Sequence, residues 1–426
     1  MFETTIEKEK ALLVGVVHSQ QTVAEVEENL AELGLLATTA GAIVSGEIIQ
    51  KRNQIHAALY VGKGKAEEIV AKVEMLKVDL VIFDDELSPA QTKNLQKMFR
   101  KARITDRSTL ILDIFVRHAS SKESKTQVEL AQLQYMLPRL TRAWTHLERQ
   151  RGATSTRGGM GETQIEIDRR LVRNRISMLK KELQKIETQR DTRRKQREDM
   201  FKVALVGYTN AGKSSLMNLF SDADVLVEDK LFATLDTTVR KISIQDNEIL
   251  LSDTVGFIHK LPHHLVASFK STLQEVRLAD LILIVIDLSD PQYDKHLTTV
   301  HEVLMDLGVS ENQTLTVFNK IDLVKDQETL TGALKEHVEA VPVSALRHVN
   351  IQQLEKRIIE IRQSGYVVET IRLDHSQQKF LAYLHRSAEV LSLDYEDDHI
   401  LVEVSVRASA LEQIRRESQQ GRTIDD

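Results

Sequence analysis

A chain of 426 residues is too long for one ordinary hydrophobic core, and its length points to about three folding units. The composition, 42% hydrophobic and 28% charged, is that of a soluble chain, and its longest apolar runs, such as 281–288, fall far short of the roughly 20 residues a membrane span requires. Zero cysteines exclude disulfides, thiolate metal sites and cysteine nucleophiles, while the net charge of −6 conceals an uneven spread, with roughly +9 over 139–202 against roughly −15 elsewhere.

The opening MFETTIEKEK is acidic and lacks the basic-then-apolar layout of a signal peptide, so a cytoplasmic protein is expected. Residues 1–120 read as an N-terminal α/β domain. Strand-like runs are expected at 11–17, 42–49, 58–62, 78–85 and 109–116, with helical spacing between them, a pattern that favours a mostly parallel sheet. Gly62-Lys63-Gly64-Lys65 precedes a helix and reads as a tight turn, because no full phosphate-loop spacing follows.

Residues 121–200 change to long helices. Leu130, Leu133, Leu137, Leu140, Trp144 and Leu147 step by threes and fours, as do Val172, Ile176, Leu179, Leu183 and Ile186. Pro138 is expected to kink the first helix. Between the seams, RQRGATSTRGGMGE (149–162) breaks any helix, predicting an antiparallel helical hairpin, a coiled coil with a glycine-rich tip. Arg149, Arg151 and Arg157 among glycines and hydroxyls can approach a phosphate backbone closely, whereas a plain spacer would need no such tip.

A third unit is expected over 201–364. Gly207, Tyr208, Thr209, Asn210, Ala211, Gly212, Lys213 and Ser214 match G-x-x-x-x-G-K-S between a buried strand and a helix that continues with Ser215. The glycines let backbone N–H groups curl around phosphate oxygens. Lys213 supplies a point charge, and the Ser214 hydroxyl reaches Mg²⁺. Asp253-Thr254-Val255-Gly256 ends a strand; Asp253 can hold Mg²⁺ through water, and the Gly256 N–H can meet the terminal phosphate. Asn319-Lys320-Ile321-Asp322 closes another strand, where the Asp322 carboxylate would accept the ring N–H and amine of guanine. Ser344-Ala345-Leu346 offers backbone N–H to the base carbonyl. In LFATLDTTVRK (231–241) one threonine should bind Mg²⁺ beside the triphosphate, and Thr234, Thr237 and Thr238 are all open on spacing alone. His259, His263 and His264 have no carboxylate partner fixed by spacing and read as structural. Residues 365–426 read as a small C-terminal α/β domain: a strand, a helix near 376–388, a hairpin and a helix from Ser409.

The runs FATLDTTVR and DTVGFIHKLPHHLVASFKSTLQEVRLADLILIVIDLSD, with GATSTRGGMGETQIEIDRRLVRNRI upstream, resemble the HflX family of ribosome-associated GTPases. The resemblance covers roughly 125–364. It implies a P-loop GTPase domain, GTP and GDP as substrate and product with Mg²⁺, and a monomer off the ribosome that binds the large (50S) subunit and its rRNA to split stalled ribosomes, particularly under stress. It also picks Thr234 as the metal-binding threonine, with Ser214 and Asp253 beside it, and brings Phe232, Ala233, Leu235 and Asp236 into the nucleotide site. Lys213, Thr234 and Gly256 are the residues expected to act on the reacting phosphate. Phe257 stands where many GTPases carry a water-orienting glutamine, so slow hydrolysis without a partner is expected. Two other functions compete: a GTP-switched rRNA-binding checkpoint in large-subunit assembly, and a membrane-recruited signalling GTPase, against which the chain ends GRTIDD with no lipidation motif.

Overall fold

The structure, a computed structural model, describes residues 8–19, 21–143, 160–195, 200–221, 231–236, 238–260, 274–309, 313–375, 377–396, 399–407 and 415. The chain is a multidomain α/β protein whose described strands form three separate sheets. The first holds β1 (Lys10–Val17), β2 (Ile43–Lys51), β3 (Leu80–Phe83) and β4 (Arg103–Asp106) in the order β2-β1-β3-β4, parallel throughout. Strand β1 is buried at every residue from Ala11 to Val17, as a parallel strand covered on both faces must be. On one face pack α1 (Val23–Thr39) and α4 (Arg107–His118), on the other α2 (Lys63–Leu76) and α3 (Pro89–Met98).

Local capping fixes where these helices start. Thr22 and Glu25 form a reciprocal capping box before α1, and Ser88 and Gln91 form another before α3, with Pro89 in its first turn. Asp106 caps α4 by accepting the Thr109 N–H at 2.8 Å. That cap explains one departure from the sequence expectation. The run 109–116 is helix rather than strand, and Leu110, Ile111, Leu112, Ile114 and Phe115 are all buried because α4 is wedged between the sheet, α1 and the next helix. Within 109–116 only Thr109 and Asp113 interrupt the apolar run, too few polar positions to set a helical period apart from a buried strand. The stretch 58–62 is likewise no strand; it is a turn closed by a bridge between His56 and Tyr60. Gly62 then takes the N-cap position of α2, and its N–H donates to Gln50 Oε1 at 2.8 Å.

The arm consists of α5 (Lys122–Ala143) and α6 (Met160–Lys195). Ion pairs Lys122–Glu182, Glu129–Arg175 and Glu123–Arg190 link them, and these pairings run in opposite directions along the two helices, so the arms are antiparallel. Leu130 and Leu179 are buried between the arms. Helix α5 passes through Pro138. Trp144, Leu147 and most of the glycine-rich stretch lie outside the described residues, although Gly161 is helical and belongs to α6.

The second sheet contains β5 (Phe201–Gly207), β6 (Thr238–Ile244), β7 (Asn247–Asp253), β8 (Leu281–Asp287), β9 (Thr314–Asn319) and β10 (Val341–Pro342), ordered β10-β9-β8-β5-β7-β6 with only β6 antiparallel. Helices α7 (Lys213–Ser221), α8 (Gln274–Arg277), α9 (Tyr293–Asp306), α10 (Gln327–Glu336) and α11 (Ile351–Ser364) complete this unit, with one apolar cluster on each face of the sheet. The third sheet, β11-β13-β12, is antiparallel: β11 (Tyr366–Leu373) and β12 (Glu389–Tyr395) flank β13 (Ile400–Arg407), and α12 (Gln378–Ser387) contributes Phe380 and Leu384 to its small core. Of the helix expected from Ser409, only Arg415 is among the described residues. No helix among them is long and apolar enough to cross a membrane.

Candidate nucleotide-binding site

Parallel strands β5, β7, β8 and β9 all end at one edge, and the predicted motifs emerge there together. The turn after β5 is built from backbone constraints. A Cβ on Gly207 would sit 2.1 Å from the Val285 carbonyl, and one on Gly212, whose φ is +92°, would sit 2.2 Å from Asn319 Nδ2. Neither position tolerates another residue. Asn210 also takes a left-handed φ of 62°, and Ala211 is buried. Ser214 and Ser215 then open α7.

Lys213 is only 5% exposed, and its Nζ donates to the carbonyls of Gly207 at 3.1 Å and Tyr208 at 2.8 Å. Burial pushes its pKa down to about 8, against the attraction of Asp253. Asp253, 2% exposed, is shifted upward by burial, with Lys213 and the Ser214 hydroxyl opposing. The Ser214 hydroxyl donates to Asp253 Oδ2 at 2.8 Å and lies 3.3 Å from the hydroxyl of Thr234. Asp253 Oδ1 is buried and has no hydrogen-bond partner among the described residues. An all-oxygen set with one unpartnered carboxylate oxygen fits a hard divalent cation such as Mg²⁺. No group of three or more His, Asp or Glu among the described residues is placed to hold a metal by itself, so such an ion would share its coordination with nucleotide oxygens. Of the other threonines, Thr238 lies in β6 opposite Asp253, and Thr237 lies outside the described residues.

The Thr254 hydroxyl donates to Leu205 O at 2.8 Å, which locks the start of the second switch onto β5. Gly256 passes so close to the turn that a Cβ would be 2.8 Å from Thr209 Cγ2 and 3.1 Å from Lys213 Nζ. At the far end of the edge, Asn319 is a structural brace: its Nδ2 donates to Ala211 O at 2.9 Å and its Oδ1 accepts from Ala345 N at 3.0 Å. It thereby joins the phosphate turn to Ser344-Ala345-Leu346. Lys320 has a left-handed φ of 60° and pairs with Asp287 at 2.7 Å. Ile321 and Asp322 start a short 3₁₀ turn where Asp322 is exposed, while Ser344 and Ala345 are buried and Leu346 faces solvent.

Similarity to known proteins follows the same boundaries. The family described as "GTP-binding GTPase N-terminal" matches residues 27–116, "GTP-binding GTPase Middle Region" matches 118–197, and "50S ribosome-binding GTPase" matches 202–320. The GTPase HflX of Flavobacterium psychrophilum is 50% identical over 377 residues, covering 84% of this chain and 91% of its own. That of Magnetococcus marinus is 41% identical over 98% of this chain and 97% of its own, and that of Escherichia coli is 41% identical over 100% and 99%. The chain belongs to the HflX family of GTPases. It is therefore a P-loop enzyme that binds and hydrolyses GTP.

In this HflX-family chain Phe257 is part of the core. It is 3% exposed and packs with Val206, Ile284 and Phe318. Its backbone extends the sheet beside the phosphate turn, with Phe257 N donating to Gly207 O at 3.1 Å and Phe257 O accepting from Thr209 N at 2.8 Å. An apolar ring at this position thus ties the second switch to the turn.

Several contacts that sequence reasoning missed, and residues it did not name, such as Glu32, Asp84, Arg107 and Lys260, join the switches to the N-terminal unit. Tyr208 stacks on His296 with ring centroids 3.8 Å apart, donates its hydroxyl proton to Glu32 of α1 and accepts the His259 N–H at 2.7 Å. Arg107, at the start of α4, is fully buried and pairs with Asp84 and Glu32, each at 2.6 Å. Lys260 reaches the same Asp84 and also Asp85. Burial opposes the charge on Asp84, but Arg107 and Lys260 outweigh it and hold its pKa below the usual carboxylate range. The His259 ring is itself pushed down by burial, in keeping with a structural role; His263 and His264 lie outside the described residues. The first switch is anchored too. Phe232 packs edge-on against Phe115 at 4.8 Å, Leu231 and Leu235 are buried in the same cluster, and Ala233 is half-buried between them. Asp236 turns its carboxylate toward Ser120 and Ser121. The links Tyr208–Glu32, Lys260–Asp84 and Asp236–Ser120 each bridge more than 100 residues of sequence, so no local pattern signals them.

Proposed function

We propose that GTP hydrolysis in this chain drives a cycle of engagement with the large ribosomal subunit and its rRNA that parts stalled ribosomes, as in a cytoplasmic stress response. The observation that carries this reading is the double use of the switches: 231–236 and 255–260 flank the phosphate turn and also pack into the N-terminal unit and the base of the arm. A change at the terminal phosphate is therefore mechanically connected to a hairpin that carries a large share of the positive charge of the chain. The match to a family described as ribosome-binding supports the choice of partner, and a basic, glycine-tipped arm suits a phosphate backbone.

The site roles follow. Gly207 to Ser215 cradle the phosphates, Lys213 neutralises them, and Gly256 senses the terminal one. Ser214, Thr234 and Asp253 hold Mg²⁺, which supplies charge neutralisation when bound. Asn319 to Asp322 and Ser344 to Leu346 select guanine, and Asp322 is the specificity residue. Because Phe257 is committed to the core, the group that stabilises the transition state comes from the partner. An open cleft of about 500 Å³ between α1, α9 and the Tyr208–Ala211 turn leaves the phosphate side reachable from outside.

Steady-state hydrolysis measured with and without large subunits tests this reading. Slow turnover alone and strong acceleration by the subunits are expected, and equal rates would overturn it. Light scattering of intact ribosomes then reports splitting: loss of signal with a non-hydrolysable GTP analogue is expected. An unchanged signal with stimulation intact would limit the protein to a large-subunit checkpoint. Deleting 152–161 should leave basal hydrolysis unchanged and remove the ribosomal effect.

A further inference from the structure

The first switch does more than pack against the N-terminal unit. Helices α4 and α5 meet in an elbow at Ala119–Ser121, and the segment 231–236 wraps around it. His118 Nδ1 lies 2.6 Å from Phe232 O. Asp236 Oδ2 accepts the backbone N–H of Ser120 at 3.0 Å and of Ser121 at 3.2 Å, together with the Ser120 hydroxyl at 2.5 Å. Ser121 itself caps α5, accepting the Ser124 N–H at 3.0 Å. The carboxylate therefore sits at the positive end of the arm helix, two residues from Thr234 in sequence. Against the cost of burial, hydrogen bonds from the serines hold its pKa down to about 2, so it is ionised throughout the physiological range.

We infer that Asp236 is a positioning residue: by gripping the α4–α5 elbow it holds Thr234 against Ser214, so that the metal side of the site is complete only when the arm is docked. The inference rests on the proposed assignment of Thr234 to the metal. Two residues of chain leave little slack, and Leu235 between them is fully buried, so the threonine and the carboxylate move together. Coupling of this kind is reciprocal: an arm pulled from the elbow loosens Thr234, and a bound ion that fixes Thr234 steadies the arm.

The test is the Mg²⁺ dependence of GTP hydrolysis by the full chain without ribosomes. Thr234→Ala should raise the half-saturating Mg²⁺ concentration; no rise would remove the assignment and the inference with it. Asp236→Ala should raise it about tenfold, the usual loss when the support of a metal ligand is removed, while Asp236→Asn, which keeps an acceptor oxygen, should fall between the two. Ser120→Pro deletes both Ser120 donors to Asp236, the N–H and the hydroxyl, from outside the GTPase unit, and Ala119 already has the extended backbone a following proline requires. It should reproduce the shift, and the double variant should add nothing further. If Thr234→Ala shifts the Mg²⁺ requirement but Asp236→Ala does not, or if Ser120→Pro leaves it unchanged, the elbow does not position Thr234. Those results would leave the proposed ribosomal function untouched.

Discussion

Lys213 shows how burial prepares a phosphate site before a phosphate arrives. With its pKa lowered to about 8 in the free protein, the lysine carries its charge below that pH and loses it above. Bound phosphates favour the charged form, so nucleotide binding above pH 8 takes up a proton. GDP affinity should accordingly weaken as pH rises from 7 to 9, approaching about tenfold per pH unit above the pKa. Calorimetric titration in buffers of different ionisation enthalpy checks this, and a pH-independent affinity would contradict it. Phe257 invites the opposite experiment, restoration of a glutamine. Because the ring fills the core, Phe257→Gln should destabilise the unit by about 3 kcal/mol, through lost apolar packing and a buried amide, without raising basal hydrolysis. Thermal unfolding and turnover measured on the same preparation decide it. At this scale the sequence was most legible: Gly207 to Ser214, Asp253 and Asn319 are brought to one edge because each motif is tied to a strand end. The role of Asn319 as a brace to Ala211 was not legible, since a bond between residues 108 positions apart leaves no local trace.

Among the elements, β1, β3, β5 and β8 announced themselves as near-continuous apolar runs, and the arm by its seam of leucines. The run 109–116 did not, because its six apolar residues, broken only by Thr109 and Asp113, read as well for a buried strand as for a helix. Strand β4, four residues reading RITD, carried too little apolar signal to be expected at all. Arg107, at the junction of these two elements, holds the interface between α1, β3 and the second switch. Arg107→Met would leave Asp84 buried at 2% exposure with Lys260 as its remaining close cation. Removing one member of such a buried set costs about 3–5 kcal/mol, so the variant should unfold at clearly lower denaturant concentration. Arg107→Met combined with Asp84→Leu should recover part of the loss. If the single variant unfolds like the parent, the network contributes nothing to docking of the second switch.

The whole molecule joins three chemically distinct parts: a parallel sheet whose carboxyl edge meets the switches, a guanine-nucleotide unit that supplies them, and a basic hairpin rooted at the elbow the first switch holds. Composition foretold the basic arm and the motifs foretold the nucleotide unit, but their connection depends on contacts such as Tyr208–Glu32 and Asp236–Ser120 that only the folded chain brings together. The central claim is that the nucleotide governs how the arm meets the ribosome. Sedimentation of the protein with purified large subunits, in GDP and in a non-hydrolysable GTP analogue, measures it most directly. Co-sedimentation that is strong with the analogue, weak with GDP and lost in Lys213→Ala is the predicted result; binding that is equal in both nucleotides, or absent in both, would contradict it.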